Sequence, residues 1–518
     1  MKKLLFVSVF AMLISLKAVA GADISYKPHE DVEWLNLLHY ENGVSLIHKD
    51  SDFFLSDNGY KDPEQEYKKT LELLKDKSLS GDKSIQCAYP ARTEFILKHE
   101  HITIHKEKCS EYETFNQNVP IDYVEIGFAS ENNKSPVSMM GHAFLVLTGT
   151  RNNIERRHVF AYSANITNVS MFSLVIDGLF MGLNGAYVLK PYRNYSQFYL
   201  QQEQRSIWKF KLDLNQQQIA KLKKHLWELK QHNIKYSLLF HNCNTATVSL
   251  LKVADSNLKP DDYGLFLTPV EYIQQISDSG RVSDVSFDPT KQSAKVVSKY
   301  GLNYVLNANK PTKISLGYKY TNKNKGLAFR LSPIYQDIYD VTNAYFDILE
   351  SKMLDVQFDY LFNKGLVFND IALIKLRSIT DTLLTRSPTK HINLSFTNTP
   401  FNDTTKLYPV AELGLGFGLH NNLFKFYVTP ILGYQYRNES VVYVKPEIGI
   451  ISQIKDKARV VISYNPYLNI IGNQNKYDYI AGYIGYKVLK DLELYTETNY
   501  YYNFDNNYML KFGVNKYF

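Results

Sequence analysis

Leu354-Asp355-Val356-Gln357-Phe358-Asp359-Tyr360 decides how this chain is read, because apolar side chains fall on every second residue and carboxylates or an amide on those between. Neighbouring side chains of an extended strand point to opposite faces, so the stretch predicts a strand with one apolar and one charged face. The same period continues on both sides of it. Ile314, Leu316, Tyr318 and Tyr320 alternate with Lys313, Ser315, Gly317 and Lys319, and Leu413, Leu415, Phe417 and Leu419 alternate with Gly414, Gly416 and Gly418. Leu492, Leu494, Thr496 and Thr498 alternate with Glu493 and Glu497. Breaks such as Asn421-Asn422 and Asp505-Asn506-Asn507 divide the segments. From residue 296 to 518 the pattern predicts an antiparallel transmembrane β-barrel of roughly twelve strands, each of about 8 to 12 residues. Closure pairs every strand edge, and lipid then wets the apolar face. A soluble sandwich or solenoid would alternate too, but the 40 tyrosines and 29 phenylalanines, crowded toward the C-terminus, favour strand ends at a polar-apolar boundary.

The other end of the chain agrees with that compartment. Met1-Lys2-Lys3 is basic, residues 4–16 are almost wholly apolar, and Ala18-Val19-Ala20 supplies small residues before a cleavage site, which predicts a signal peptide over residues 1–20. An uncleaved anchor is the alternative, and the run is shorter than the roughly 20 residues that span a bilayer. The terminal Phe518 resembles the assembly signal of Gram-negative outer-membrane barrels, although Lys516 departs from the residue usual two places before it. The predicted location is the Gram-negative outer membrane, with outer-membrane lipids as a partner. A net charge of +7 over 518 residues, with lysines dispersed, argues against nucleic acid.

The chain is long enough for about two to four domains. Residues 21–118 predict a small, mostly helical accessory domain, with Trp34, Leu35, Leu37 and Leu38 in one apolar pattern and Tyr67, Leu71, Leu73 and Leu74 in another. A disulfide between Cys87 and Cys109 would close a loop of about 23 residues and contribute on the order of 3 kcal/mol. Two unpaired buried thiols are the alternative.

Residues 119–295 hold the candidate chemistry. Gly141 makes a tight entry to an apolar strand that begins at His142, and a second strand through Val159 and Tyr162 leads to Ser163 and Asn165. A helix starts near Asn215, whose side chain can cap while Gln218 reaches back, and its stripe is Ile219, Leu222, Leu226 and Leu229. The last helix begins at Asn242 or Cys243. The chain has three cysteines, so pairing two leaves Cys243 single in an oxidising compartment. A first-turn cysteine is favoured as thiolate by the helix dipole, and an imidazole such as His142 would accept its proton. The plain alternative is a packed thiol and a structural histidine. His101-Ile102-Thr103-Ile104-His105 reads as lacking carboxylate or cysteine partners at helical spacing, exposed histidines being commoner than metal sites, and Gly178-Leu179-Phe180-Met181-Gly182 lacks the lysine of a phosphate loop, so no metal and no cofactor is predicted.

Gly141-His142-Ala143-Phe144-Leu145 with Asn242-Cys243-Asn244-Thr245 resembles the histidine and cysteine motifs of the domain in bacterial Lnb-type lipoprotein N-acyltransferases. Trp34 to Tyr40, Phe53-Phe54-Leu55, Gln86 to Arg92, Lys190-Pro191-Tyr192 and His225 to Leu229 extend the resemblance over nearly the whole mature chain. It implies an α+β, permuted papain-like (NlpC/P60-like) middle domain in a multidomain protein. It also implies Cys243 as nucleophile, His142 as base, and Asn165, then Ser163, as third residue. Asn242 or Asn244 would assist the oxyanion and His241 would shape the pocket. The implied function is a periplasm-facing cysteine enzyme that forms a thioester and transfers or hydrolyses an acyl group. Phospholipid or lipoprotein would be its partners, and the apolar residues between 171 and 183 could line an acyl groove. A peptidase or amidase acting on peptidoglycan peptides, and a non-enzymatic barrel with a structural periplasmic domain, are the two other readings.

Overall fold

The computed structural model describes residues 26–130, 141–164, 182–230, 232–237, 241–261, 266–300, 305–342, 348–398, 406–421, 423–437, 439–472, 478–502 and 507–518. The predicted signal peptide, Asn165 and most of the apolar stretch between 171 and 183 lie outside them.

The first part is helical, as its patterns predict, with helices Val32–Leu37, Pro63–Lys75, Pro90–His99 and Ser110–Asn118 among its elements. Asp62 starts the second by accepting from the backbone N–H groups of Glu64 and Gln65, with Pro63 supplying a preset φ. Trp34 packs edge-on against Tyr67 and stacked on Phe95. Cys87 and Cys109 form the expected disulfide, and the Cys87 carbonyl accepts from the Trp227 indole at 2.8 Å. These helices share one continuous apolar core with the part that follows.

The middle part is built on a seven-stranded antiparallel sheet. Its order runs Asn233–Tyr236, Leu183–Pro191, Ile154–Ala164, His142–Arg151, Tyr123–Ala129, Ile207–Leu212, Val282–Asp288. Both faces of its centre are covered. Leu145 and Leu147 join the core of helices Gln216–Leu229 and Cys243–Ala254, whereas Phe144 and Val146 face a cluster of Tyr192, Tyr195 and Tyr199. The longer helix opens with the expected capping box of Asn215 and Gln218.

The last part is a barrel of 12 antiparallel strands. It closes where Lys325–Ser332 pairs with Ile348–Leu361, and its first strand, Lys313–Thr321, pairs with its last, Asn507–Tyr517. Strands reach 15 residues in Gly365–Ile379, longer than the sequence periods predicted, because turns such as 455–457 are short and the alternation continues into them. The deciding stretch behaves as read: Asp355 and Asp359 are buried inside, and Leu354 and Tyr360 face outward. Leu413 and Leu415 are likewise exposed, on the face lipid would cover. Inside, tyrosines lie over glycines, and a Cβ on Gly433 would stand 2.1 Å from the Tyr443 ring.

One connection folds inward rather than away. Residues 337–342 lie at the end where the chain enters the barrel, with Ile338 and Val341 buried. Arg459 donates to the Ile338 carbonyl at 3.1 Å and the Thr342 carbonyl at 2.8 Å, and the Tyr517 hydroxyl donates to Asp340 at 2.9 Å. Backbone polar groups away from water need such partners.

Candidate functional site

Helix Cys243–Ala254 begins as its sequence demands. The Asn242 side chain accepts from the N–H groups of Asn244 at 2.9 Å and Thr245 at 3.1 Å, while the Thr245 hydroxyl accepts from Asn242 N–H. Cys243 is therefore the first helical residue, where dipole and free N–H groups favour a thiolate. Burial works against them and prevails: the thiol's pKa is pushed above its ordinary 9.0, although the N–H of Ala143 and the Tyr236 hydroxyl both donate to the sulfur.

The expected base is turned elsewhere. Gly141, at φ +76°, admits the chain past the Phe128 ring, and His142 opens the strand as predicted. Side chains alternate from there, so His142 shares its face with Phe144 and Val146, and the cysteine helix packs with Leu145 and Leu147 on the other. The His142 Nε2 pairs with the Tyr195 hydroxyl at 3.0 Å, and its ring stacks on Tyr199. Burial, with Arg205 adding to it, drives its pKa down to about 3. Both shifts act against a thiolate–imidazolium pair, since burial favours the uncharged form of each group.

The remaining candidates scatter. Asn244 is buried and its amide donates to the Leu267 carbonyl at 3.0 Å. His241 is buried against the Tyr162 ring, neither ring nitrogen has a hydrogen-bond partner among the described residues, and burial takes its pKa down to about 4. Ser163 pairs through its backbone with Ala186, and its side chain is half-buried. Asn165 lies outside the described residues. The structure brings Cys243 beside Ala143 and Tyr236, and Tyr195, Tyr199 and Arg205, the groups around His142, also feel its charge.

This overturns the expectation of a thioester-forming cysteine enzyme. Two cysteines are tied in a disulfide, and the third is a buried, protonated thiol whose predicted base faces another partner.

Sequence reading missed the polar network that joins the first two parts. Arg92 and Glu66 pair at 2.7 Å with both side chains fully buried, and Arg92 lies over the Phe53 ring. Glu228 accepts from the N–H groups of Ala91 and Arg92, at the start of helix Pro90–His99, and pairs with His225 at 2.9 Å. His225 in turn meets His39 at 2.8 Å. The only signal was the presence of Arg92, His225 and Glu228 within the stretches that carry the resemblance.

The barrel, with a charged interior and an apolar exterior, and the domain preceding it define an outer-membrane protein with a periplasmic domain. Residues 111–279 match the family described as "Lnb N-terminal periplasmic domain", so the middle part is a domain of that type. Residues 27–99 and 306–517 match two domains of unknown function, DUF7843 and DUF7840. No curated protein matches this sequence. Among solved structures, the chain is similar to the NanC porin at 9% identity and TM-score 0.27, covering 40% of this chain and 98% of that one. It is also similar to Omp33 of Acinetobacter baumannii, at 11% identity and TM-score 0.23, with 40% and 99% covered. Outer membrane phospholipase A from Escherichia coli matches at 10% identity and TM-score 0.19, with 41% and 95% covered. Scores this low carry no argument about function.

Proposed function

We propose that the protein is a non-enzymatic outer-membrane barrel whose periplasmic domain is a structural unit. The observation that carries this reading is the state of Cys243, a buried thiol with its pKa raised while the nearest expected base is neutral and bonded to Tyr195. The domain keeps a histidine strand ahead of a cysteine helix, the chain order of a permuted papain-like fold, as packed architecture. Its attachment supports a scaffold role: Gln274 donates to the carbonyls of Leu306 and Ala308, and Asp278 pairs with Lys490 of a barrel turn at 3.0 Å. Outer-membrane lipids are the partner suited to the outward leucines.

The test is intact-mass measurement of the purified full chain and Cys243→Ala after incubation with an activated acyl probe. Equal behaviour of the two is expected. A stable adduct that depends on Cys243 overturns the reading.

A further inference from the structure

We propose that the periplasmic domain is the latch of a gate: it seats the inward segment 337–342 in the barrel mouth, and its displacement frees that segment and opens the lumen to water and small ions. This role rests on the structural reading of the domain given above.

The gate itself belongs to the barrel. The chain enters at Lys313, so the end where residues 337–342 fold inward faces the periplasm. Ile338 packs among Tyr427, Ile451 and Val461 of the wall, and Tyr339 lines the lumen cavity with its ring on Tyr483, centroids 4.8 Å apart. Asp337 pairs with Lys352 at 2.7 Å and Asp340 with Lys313 at 3.6 Å, so both charges of the segment are matched. A segment packed in this way leaves as a unit rather than deforming in place.

The latch comes from outside the barrel. Val305 and Ala308 are buried in the core of the periplasmic domain. Gln274 of helix Pro269–Asp278 donates to the carbonyls of Leu306 at 2.9 Å and Ala308 at 2.8 Å, one on each side of Asn307. The Asn307 carbonyl is thus fixed to the domain, and it accepts from the hydroxyl of Thr342, the last residue of the inward segment, at 3.3 Å. Ahead of that segment, the Pro333 carbonyl accepts from the Thr312 hydroxyl at 3.0 Å. The entering chain therefore clasps the inward segment at both ends while its own start belongs to the domain.

The domain also straddles the mouth. Asp278 pairs with Lys490, in the turn before Leu492–Tyr501, and helix Lys291–Tyr300 packs beside Thr382–Thr385, in the turn before Thr389–Thr397. Half of the 12 strands lie between those two turns in either direction round the ring, so they stand on opposite sides of the opening. Tilting the domain off either side moves Asn307 relative to Thr342.

The experiment records the full chain in planar bilayers beside two variants. Gln274→Leu leaves the carbonyls of Leu306 and Ala308 without their donor, and Thr342→Val removes the hydroxyl on Asn307 while keeping the carbonyl that Arg459 holds. Each is expected to open at least about fivefold more often than the unaltered chain, in steps of one common size because both release the same segment. Lys224→Gln, which breaks an exposed pair with Glu94 elsewhere on the domain, is expected to match the unaltered chain. Heat-modifiable migration on gels reports a folded barrel and tryptophan fluorescence a folded domain; if Gln274→Leu unfolds the domain, Thr342→Val decides. Unchanged traces for either folded variant, steps of different size in the two, or an equal rise in Lys224→Gln overturn the proposal. Unchanged traces with no cysteine adduct remove this inference alone, and an adduct with the rise intact removes only the inertness of the domain.

Discussion

His142 Nε2 and the Tyr195 hydroxyl meet at 3.0 Å, on the side of the sheet opposite the leucines that pack against the cysteine helix. With its base so placed and its pKa raised by burial, Cys243 stays a thiol at neutral pH. Native protein at pH 8 is therefore expected to react with iodoacetamide at least about tenfold more slowly than protein in urea, as followed by mass. Equal rates would mean that the sulfur is open and ionised.

Breaking the Arg92 and Glu66 pair is expected to weaken the periplasmic part by about 3–5 kcal/mol in Arg92→Met, because the carboxylate stays buried without its cation. Glu66 also accepts from the N–H groups of Leu55 and Ser56, so the loop before helix Pro63–Lys75 loosens with it. All three tryptophans, Trp34, Trp208 and Trp227, precede the barrel, so the urea midpoint by tryptophan fluorescence reads this part alone. A midpoint unchanged by Arg92→Met would show the pair to be dispensable.

The barrel and the helix starts were legible because local chemistry decides them. Alternation around Asp355 needs no distant partner, and Asn215 with Gln218, or Asn242 with Thr245, closes a cap within four residues. The disulfide followed from counting cysteines. The orientation of His142 did not, because its face is fixed by register against Tyr123–Ala129 and by a tyrosine helix some fifty residues later. Arg92 and Glu66 lie 26 residues apart in different helices, so no period links them. Nothing local marks residues 337–342 as folding inward, since that depends on Arg459, 121 residues beyond Ile338. Charge placed by long-range packing leaves no local pattern.

Glu271 gives the periplasmic part a pH dependence. Both its carboxylate oxygens are buried, and burial raises its pKa to about 7 against an ordinary 4.5, with the Thr268 backbone and then Lys310 opposing. Between those values the folded state holds a proton that the unfolded state has released. Stability is therefore fully present below about 4.5 and falls as pH rises through 7, by on the order of 3 kcal/mol in all. Glu271→Gln is expected to flatten this slope in the tryptophan-monitored midpoint between pH 5 and 8, with its largest gain at the alkaline end. A parallel slope in both proteins would assign the dependence to another group.

Arg459 is the bolt of the inward segment. Its guanidinium satisfies two buried carbonyls, and Val341 N–H donates to Glu493 at 3.3 Å beside it. Arg459→Ala leaves both carbonyls without their donor, about 1–3 kcal/mol each, which is comparable to what holds six residues against the entropy of release. The substituted barrel in planar bilayers is expected to show larger and more frequent conductance steps than the unaltered chain, because the periplasmic end of the lumen opens when residues 337–342 leave it. Glu493→Gln, which keeps an acceptor for Val341, is expected to change conductance far less. Identical traces for Arg459→Ala and the unaltered chain would show that Tyr517 and Lys313, through Asp340, seat the segment without it.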